Sequence, residues 1–410
     1  MGNVKIKFQP TTSKEREEVL GEFKNMLGYI PEGYDDELFL SAVVKIRKYL
    51  KKNFAGKKVS AQSIPDVNEF PVYKSQYSMI ELAMNRIAKN VKKVVNTFSF
   101  NENAESSATG KFIPKDKQIR IYRRKIKTNL ESLLSDYNGV FKSESDFKKC
   151  MTMSTIVHEI LHSISYTGKS NGFKRGKEGV SLTEGMTESL ALEVCGLKDC
   201  YRKSEEKAVD VRNNYKIRTR TKSAYVFETN IVTLLRIATG KQMTIDYLVD
   251  GRDSRDKILA RYPHARLVLE ELDYYKSNKI KTNNQYTEEF FKNFRAAQSE
   301  ILRDIFARKV IDKRLEEISN LGVGSYKGKN KYEDLLNDLN FMGNCIMSEI
   351  PNKSRLFDKV QTDPNATRRA VSSELERGNI APTANVGNYL MAIDKAVSVG
   401  KDLGLGTRVQ

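Results

Sequence analysis

Two of the three histidines in this 410-residue chain lie in one five-residue run, His158-Glu159-Ile160-Leu161-His162. On a helix, side chains four positions apart lie nearly one above the other, so both imidazoles can point at one metal ion. Glu159 follows His158 by about 100° around the helix, where its carboxylate can reach a water bound to the metal. The spacing therefore predicts two zinc ligands, His158 and His162, and a general base, Glu159.

Candidate carboxylate ligands follow on a second segment. Glu184 comes 22 residues after His162, and Glu188 lies four positions farther along a predicted helix, 182–195, on the same face as Glu184. Glu184 and Glu188 are both candidates for the third ligand, and Glu178, before the helix, is a weaker one. If Glu184 binds the metal, Glu188 can accept a hydrogen bond from the second ring nitrogen of a ligand histidine and fix the orientation of that ring.

The histidine run has the apolar pattern of a helix. Between residues 151 and 166 apolar side chains recur with a period of about 3.6, and no glycine or proline interrupts them. Thr152 or Ser154 can cap the start of this helix, and Thr167-Gly168 can end it. Polar imidazoles on a buried helix need partners, and zinc supplies one to both.

A hairpin is predicted upstream, over residues 110–122. Phe112 and Ile113 precede a Pro-Lys-Asp-Lys turn, and Ile119 and Ile121 alternate with polar residues after it. An open strand edge beside a metal site can hold an extended peptide by backbone pairing. Ile119 and Ile121 are therefore predicted to mark a substrate-binding strand.

A further helix is predicted over residues 225–239, and Tyr225 opens it. The hydroxyl of Tyr225 is a candidate hydrogen-bond donor to the transition state. The alternative is that Tyr225 packs with its hydroxyl at the surface, as tyrosines at helix starts commonly do. The remaining histidine, His264, is interpreted as a solvated residue at the start of a helix.

The pattern resembles the gluzincin group of zinc metallopeptidases, to which thermolysin belongs. The features that carry the resemblance are the histidine run, two glutamates four residues apart and a preceding strand: His158, Glu159, His162, Glu184, Glu188 and residues 119–122. The resemblance covers roughly residues 105–240, about a third of the chain. Thr183 stands where thermolysin-like enzymes have an asparagine, and no counterpart of their catalytic histidine is recognised.

What the resemblance implies is one Zn²⁺ per chain in a zincin-like catalytic core. His158, His162 and Glu184 would bind the zinc ion, and Glu188 would support a histidine. The general base Glu159 would take a proton from water and pass it to the leaving amine. The fourth position of such a site is left open, whereas structural zinc sites usually fill all four, often with cysteine.

The rest of the chain has the pattern of helices, so the predicted fold class is α+β with a small sheet. We divide the sequence into a mainly helical N-terminal region, 1–104, a zincin-like catalytic core, 105–240, and a mostly helical C-terminal region, 241–410. Glycines near 322–331 indicate a possible hinge. Helices are predicted at 37–52, 75–95, 263–276, 287–320, 331–349, 363–376 and 386–399.

The formal charge of +18 favours acidic partners. Two dense basic stretches, 111–127 and 202–222, flank the candidate site in sequence, which favours a peptide or protein substrate with acidic residues. Nucleic-acid binding is the competing explanation, although no groove-reading motif accompanies the charge.

The composition, with 39% hydrophobic and 30% charged residues, is that of a soluble protein. No apolar run approaches membrane-spanning length, and no hydrophobic signal core precedes the first helix. We expect a cytoplasmic protein, or one exported by a leaderless route, without a membrane partner. Four cysteines without zinc-knuckle spacing are expected to stay reduced.

These features together predict a zinc-dependent metallopeptidase that hydrolyses peptide bonds with Glu159 as general base. The alternative is a basic, non-enzymatic protein that binds nucleic acid or takes part in an assembly and carries a degenerate metal site. A third interpretation keeps the peptidase but restricts it to a single target, as a regulator or toxin.

Overall fold

The computed structural model describes residues 5–60, 76–97, 109–122, 126–127, 141–168, 170–197, 225–249, 251–278, 286–305, 311–348, 364–380 and 384–405. Within these residues the chain is mixed α and β but mostly helical, with fourteen helices, one two-stranded sheet and one three-stranded sheet. The predicted mixture of many helices with a small sheet is confirmed.

The elements follow the chain in this order. The first eight are α1 Ser13–Leu27, α2 Glu37–Phe54, β1 Lys58–Val59, β2 Tyr77–Ser78, α3 Met79–Asn90, β3 Lys93–Thr97, β4 Gly110–Ile113 and β5 Gln118–Tyr122. They are followed by α4 Glu144–Ser165, α5 Val180–Val194, α6 Val226–Thr239, α7 Lys241–Val249 and α8 Arg252–Ala260. The last six are α9 Pro263–Ser277, α10 Glu288–Ile305, α11 Ile311–Ser319, α12 Tyr326–Ser348, α13 Pro364–Glu376 and α14 Ala384–Asp402.

The chain divides into two compact units. The first consists of Met1–Thr233, Lys241–Asp256 and Leu269–Gln285, and the second of Leu234–Gly240, Lys257–Val268 and Tyr286–Gln410. Residues 241–256 and 269–285, which the sequence placed in the C-terminal region, therefore belong to the first unit. The site described below lies wholly within that unit.

The three-stranded sheet has the order β3-β5-β4, with β3 parallel and β4 antiparallel to β5. The predicted hairpin is confirmed, since β4 and β5 flank a turn that contains Lys117 at φ 47°. Ile119 and Ile121 are 0% and 1% exposed on the central strand. Because β5 is paired on both sides, its expected role as an open substrate-binding edge is wrong; within the described residues the outer strands of this sheet are β3 and β4.

The buried helix of the first unit is α4, which packs against α2, α3, α5 and β4. Its N-cap is Ser143, whose hydroxyl accepts a hydrogen bond from Asp146 N, so α4 begins earlier than the predicted caps Thr152 and Ser154. Phe147 and Cys150 are buried in the added turns and extend the apolar face. The predicted helix was therefore too short at its N-terminus, because this capped, charged segment precedes the regular apolar repeat.

Two polar side chains of α3 hold the C-terminal end of α4. Arg86, which is 3% exposed, donates to the carbonyl of Ile164 at 2.9 Å. Asn90 donates to the carbonyls of Ser163 and Tyr166 at 2.7 and 3.0 Å. These bonds satisfy carbonyl groups that a helix end otherwise leaves without partners, and they fix the last turn of α4 beside His162.

The start of α5 is capped by another helix. Gly179 stands at the N-cap in the left-handed conformation and contributes no side chain. Asp273 of α9 provides the cap instead. Its two carboxylate oxygens accept hydrogen bonds from Gly179 N at 2.7 Å and from Ser181 N at 2.6 Å. A carboxylate at this position also complements the partial positive charge of the helix start.

Within the second unit, helices α11 to α14 share one apolar core. Leu335, Leu339, Tyr389 and Ile393 are each 0% exposed in this cluster. The helix α12 begins at Tyr326, so residues 326–331 of the predicted hinge region are helical.

None of the helices within the described ranges combines the length and apolar character needed to cross a membrane.

Candidate metal centre

Three donor atoms from α4 and α5 converge on one point. Nε2 of His158 and Nε2 of His162 lie 3.1 Å apart, and Oε2 of Glu184 lies 3.3 Å from each of them. Both histidines are buried at 7% exposure, while the Glu184 side chain is 20% exposed. Among the described residues this is the one group of three histidine, cysteine or carboxylate side chains that is close enough to hold a metal ion.

The triangle fits a tetrahedral zinc ion. Zinc binds nitrogen and oxygen donors at about 2.0–2.2 Å, so two ligands of a tetrahedral site lie roughly 3.3 Å apart. The three observed separations are 3.1, 3.3 and 3.3 Å. A single proton can bridge only one side of this triangle, whereas a cation at its centre satisfies all three donors.

Glu188 contacts the opposite side of the His158 ring. Its Oε2 lies 2.8 Å from Nδ1 of His158, so the Nδ1 N–H can donate to Glu188 while Nε2 faces Glu184. Glu178, the weaker candidate, is instead paired with Arg255 at 3.1 Å, and its side chain is 73% exposed. The three glutamates therefore have different partners: Glu184 contacts Nε2 of both histidines, Glu188 contacts Nδ1 of His158, and Glu178 contacts Arg255.

The two carboxylates create a strong preference for positive charge. Burial lowers the pKa of His158, but hydrogen bonds to Glu184 and Glu188 outweigh burial and leave this pKa well above its ordinary value. Burial acts in the opposite direction on Glu184 and raises its pKa. Its interactions with His162 and His158 have the larger effect and hold the pKa of Glu184 well below its usual range. Protons or a divalent cation can supply the charge that this arrangement favours.

Glu159 lies between α4 and the edge strand β4. It is 7% exposed, and its Oε2 accepts a hydrogen bond from Phe112 N at 2.7 Å. A Cβ atom on Gly110 would lie 2.8 Å from Cγ and 2.9 Å from Oε1 of Glu159, so only glycine leaves room for this carboxylate. Burial raises the pKa of Glu159, an effect that His158 and His162 oppose.

Tyr225 lies against the candidate metal site, directly before the first residue of α6. Its ring stacks on that of His158, with centroids 5.8 Å apart and planes 9° from parallel. On α9, Lys276 places Nζ 4.8 Å from the Tyr225 ring centroid and 2.8 Å from Oε1 of Glu228. The charge of Glu184, followed by burial, raises the pKa of Tyr225 well above its ordinary value, so its hydroxyl keeps its proton at neutral pH.

A buried polar network supports the part of α5 that carries the candidate ligand Glu184. The Thr187 hydroxyl lies 2.6 Å from that of Tyr247, and Thr183 accepts a hydrogen bond from Phe173 N at 3.2 Å and donates one to Asn171 O. Thr183, which precedes Glu184, thus ties the helix to the preceding loop. Satisfied networks of this kind keep side-chain orientations fixed.

Sequence reasoning missed Phe112, Gly110, Asp273 and Lys276. A glycine inside a strand is a recognised sign of close approach and could have drawn attention to Gly110. No local signal marks Asp273, which lies 94 residues from the amide that it caps.

Several predicted features lie elsewhere or outside the described residues. His264 lies in the second unit, where its backbone N donates to Glu300 at 3.3 Å. The basic stretch 202–222 and Cys200 lie outside the described residues, as does the side chain of Cys345. Cys150 and Cys195 are free thiols.

Comparison of the chain with protein-family models, with curated proteins and with solved structures found no match.

Proposed function

We propose that this protein is a zinc-dependent metallopeptidase of the gluzincin type, with its zincin-like core in the first unit. The observation that carries the proposal is the convergence of His158 Nε2, His162 Nε2 and Glu184 Oε2 at 3.1–3.3 Å. A buried carboxylate, that of Glu159, lies one residue along the same helix.

In this proposal His158, His162 and Glu184 hold the metal, and Glu188 fixes the orientation of His158. A bound zinc ion would supply a Lewis acid that polarises a carbonyl group and makes water nucleophilic near neutral pH. No cysteine and no second carboxylate joins the three donors among the described residues. Three protein ligands are the pattern of catalytic zinc sites, whereas structural sites use four.

Glu159 acts as the general base and later as the acid that protonates the leaving amine. Burial raises its pKa, which moves a carboxylate toward the range in which it can both accept and return a proton. The Phe112 N–H holds one oxygen of this carboxylate at 2.7 Å and so fixes its orientation.

Tyr225 is proposed as the donor that stabilises negative charge developing on the substrate. Its phenol stays protonated because Glu184 and burial raise its pKa, and its ring is held against His158. A neutral hydroxyl kept in place before the reaction costs little reorganisation when charge develops.

The first test is the zinc content of the purified protein, measured by elemental analysis. About one zinc per chain is expected, and Glu184→Ala should lose it or bind it much more weakly. Glu178→Ala removes an exposed glutamate from the preceding loop and should keep the metal. No zinc in the unaltered protein after incubation with the metal would refute the proposal.

The second test is hydrolysis of a mixed peptide library by the zinc-loaded protein. Cleavage should stop with a chelator and return when zinc is restored. A protein that holds zinc at Glu184 but cleaves no peptide in the library, including peptides with acidic residues, would contradict the peptidase assignment and leave a metal-binding protein.

A further inference from the structure

The edge strand β4 directs part of its backbone away from the sheet. Tyr122 N donates to Thr109 O at 2.9 Å, so Thr109 faces β5. Backbone groups alternate in direction along an antiparallel strand, and those of Gly110 and Phe112 therefore point outward. The Phe112 N–H does so visibly, since it donates to Glu159. That N–H is taken up by Glu159, so a peptide on this edge would pair with the other outward backbone groups of Gly110 and Phe112 and would run directly past the proposed general base.

Side chains on β4 alternate between two faces. Gly110 and Phe112 are buried on the side of α4, whereas Lys111 is exposed on the opposite face. Directly across the ladder from Lys111 stands Arg120 of β5, whose side chain is 42% exposed. Two like charges in opposed positions destabilise a sheet, so this pair calls for a physical reason.

Little negative charge offsets the pair within the described residues. Asp116 lies 4.0 Å from Arg120, at the limit of an ion pair, and Gln118 accepts a hydrogen bond from Nε of Arg120 at 2.8 Å. No carboxylate of the described residues forms an ion pair with Lys111. By contrast, Lys93 on the far strand is paired with Glu32 at 2.6 Å.

We propose that β4 selects extended peptides that carry an acidic residue opposite Lys111. A residue of an added strand at that position forms a pair without backbone hydrogen bonds, in which side chains lie closest together. Its carboxylate would contact Lys111, with Arg120 contributing one strand farther away. This inference rests on the proposed peptidase function and names the substrate class, an acidic peptide bound as a β-strand.

An exposed lysine on a strand edge has a second known effect, because it discourages edge-to-edge aggregation. A glutamate at the same position protects the edge equally well but reverses the charge that a bound peptide meets. The charge reversal Lys111→Glu therefore separates the two explanations. Lys115→Glu, in the exposed turn of the same hairpin, changes the net charge by the same amount and is the matched control.

The test measures fluorescence anisotropy of short threonine- and valine-rich peptides that differ only in a central Glu, Gln or Lys. The zinc-loaded protein should bind the Glu peptide about 2- to 5-fold more tightly than the Gln peptide, with a smaller difference at high salt. Lys111→Glu should reverse the order so that the Lys peptide binds best, Lys111→Gln should reduce the preference to the smaller contribution of Arg120, and Lys115→Glu should keep it.

Equal binding of the three peptides, or an equal effect of Lys115→Glu and Lys111→Glu, would overturn the inference. Cleavage assays on the same peptides test the proposed peptidase function separately from the preference for acidic peptides. Cleavage without a charge preference would remove the acidic specificity and leave the peptidase. Binding that depends on Lys111, without cleavage of any peptide, would support the acid-selective edge and contradict the peptidase.

Discussion

His158 uses both of its ring nitrogens, and for that reason the site needs two glutamates one helical turn apart. Nε2 faces Glu184 at 3.3 Å, while Nδ1 lies 2.8 Å from Glu188. The two carboxylates share a face of α5 because they are four residues apart. A ligand and the group that orients it are thus carried by one rigid element, which keeps their spacing constant.

At the residue scale, the sharpest prediction concerns Glu159→Gln. The amide preserves the shape of the side chain and can still meet the Phe112 N–H, but it cannot accept the proton of water. We expect an unchanged zinc content and a fall in turnover of about 10²- to 10⁴-fold, the usual contribution of a general base. The measurement is the initial rate on a cleaved library peptide, together with elemental analysis.

Glu193→Gln provides a control in the last turns of α5 and should leave the rate unchanged. Turnover of Glu159→Gln close to that of the unaltered protein would remove this residue from the mechanism. Loss of zinc in the same variant would instead show that Glu159 helps to hold the metal.

At the scale of elements, α5 depends on a cap that it does not contain. Asp273 provides both hydrogen bonds at the start of α5, and three residues later on α9 Lys276 pairs with Glu228 beside Tyr225. One short stretch of α9 therefore supports both α5, which carries Glu184, and Tyr225.

We expect Asp273→Ala to destabilise the protein by about 1–2 kcal/mol, the range found when an N-cap is removed. Glu184 lies in the second turn of α5, so zinc affinity should fall as well. Asp273→Asn keeps one side-chain acceptor and should recover part of both losses. The measurements are urea unfolding and zinc competition with a chelating dye. Unchanged zinc affinity in Asp273→Ala, despite lower stability, would show that the cap does not position Glu184.

Much of the site could be predicted because its residues are close in sequence. The spacing of His158 and His162 on an apolar helix, and that of Glu184 and Glu188, are local patterns, and the structure brings these four side chains together. The cap from Asp273 is different, since contact between groups 94 residues apart depends on tertiary packing that no local pattern encodes.

In the sheet, too, the local features were predictable and the pairing between distant segments was not. The hairpin of β4 and β5 was predictable because its turn and alternation are local. The parallel pairing of Val94 with Ile119 joins β5 to a strand that the sequence pattern placed within a helix, 75–95. Because β3 was not predicted as a strand, β5 was expected to be an edge strand, whereas it is the central strand of the sheet.

At the scale of the whole molecule, our proposal places the metal site in only one of the two compact units. The metal site belongs to the first unit, and the second contains the cluster around Leu339, which is 0% exposed. A ligand stabilises only the folded structure that binds it.

We therefore predict that zinc and a core substitution act on different transitions in calorimetry. Free zinc roughly a thousandfold above its dissociation constant should stabilise the first unit by about 4 kcal/mol. Leu339→Ala should destabilise the second unit by about 2–5 kcal/mol while zinc affinity stays the same. If Leu339→Ala weakened zinc binding, or if zinc raised both transitions equally, the two units would be energetically coupled.

The borrowed cap also has a consequence for the order of events during synthesis. The ribosome adds about 5–20 residues per second, so roughly 5–20 seconds separate the addition of Gly179 from that of Asp273, 94 residues later. During that interval the first amides of α5 have only water as a partner, and the segment with Glu184 is free to fray. If Glu184 holds zinc as proposed, the site would therefore be complete only after α9 has emerged, and we would expect zinc uptake late in synthesis or after release.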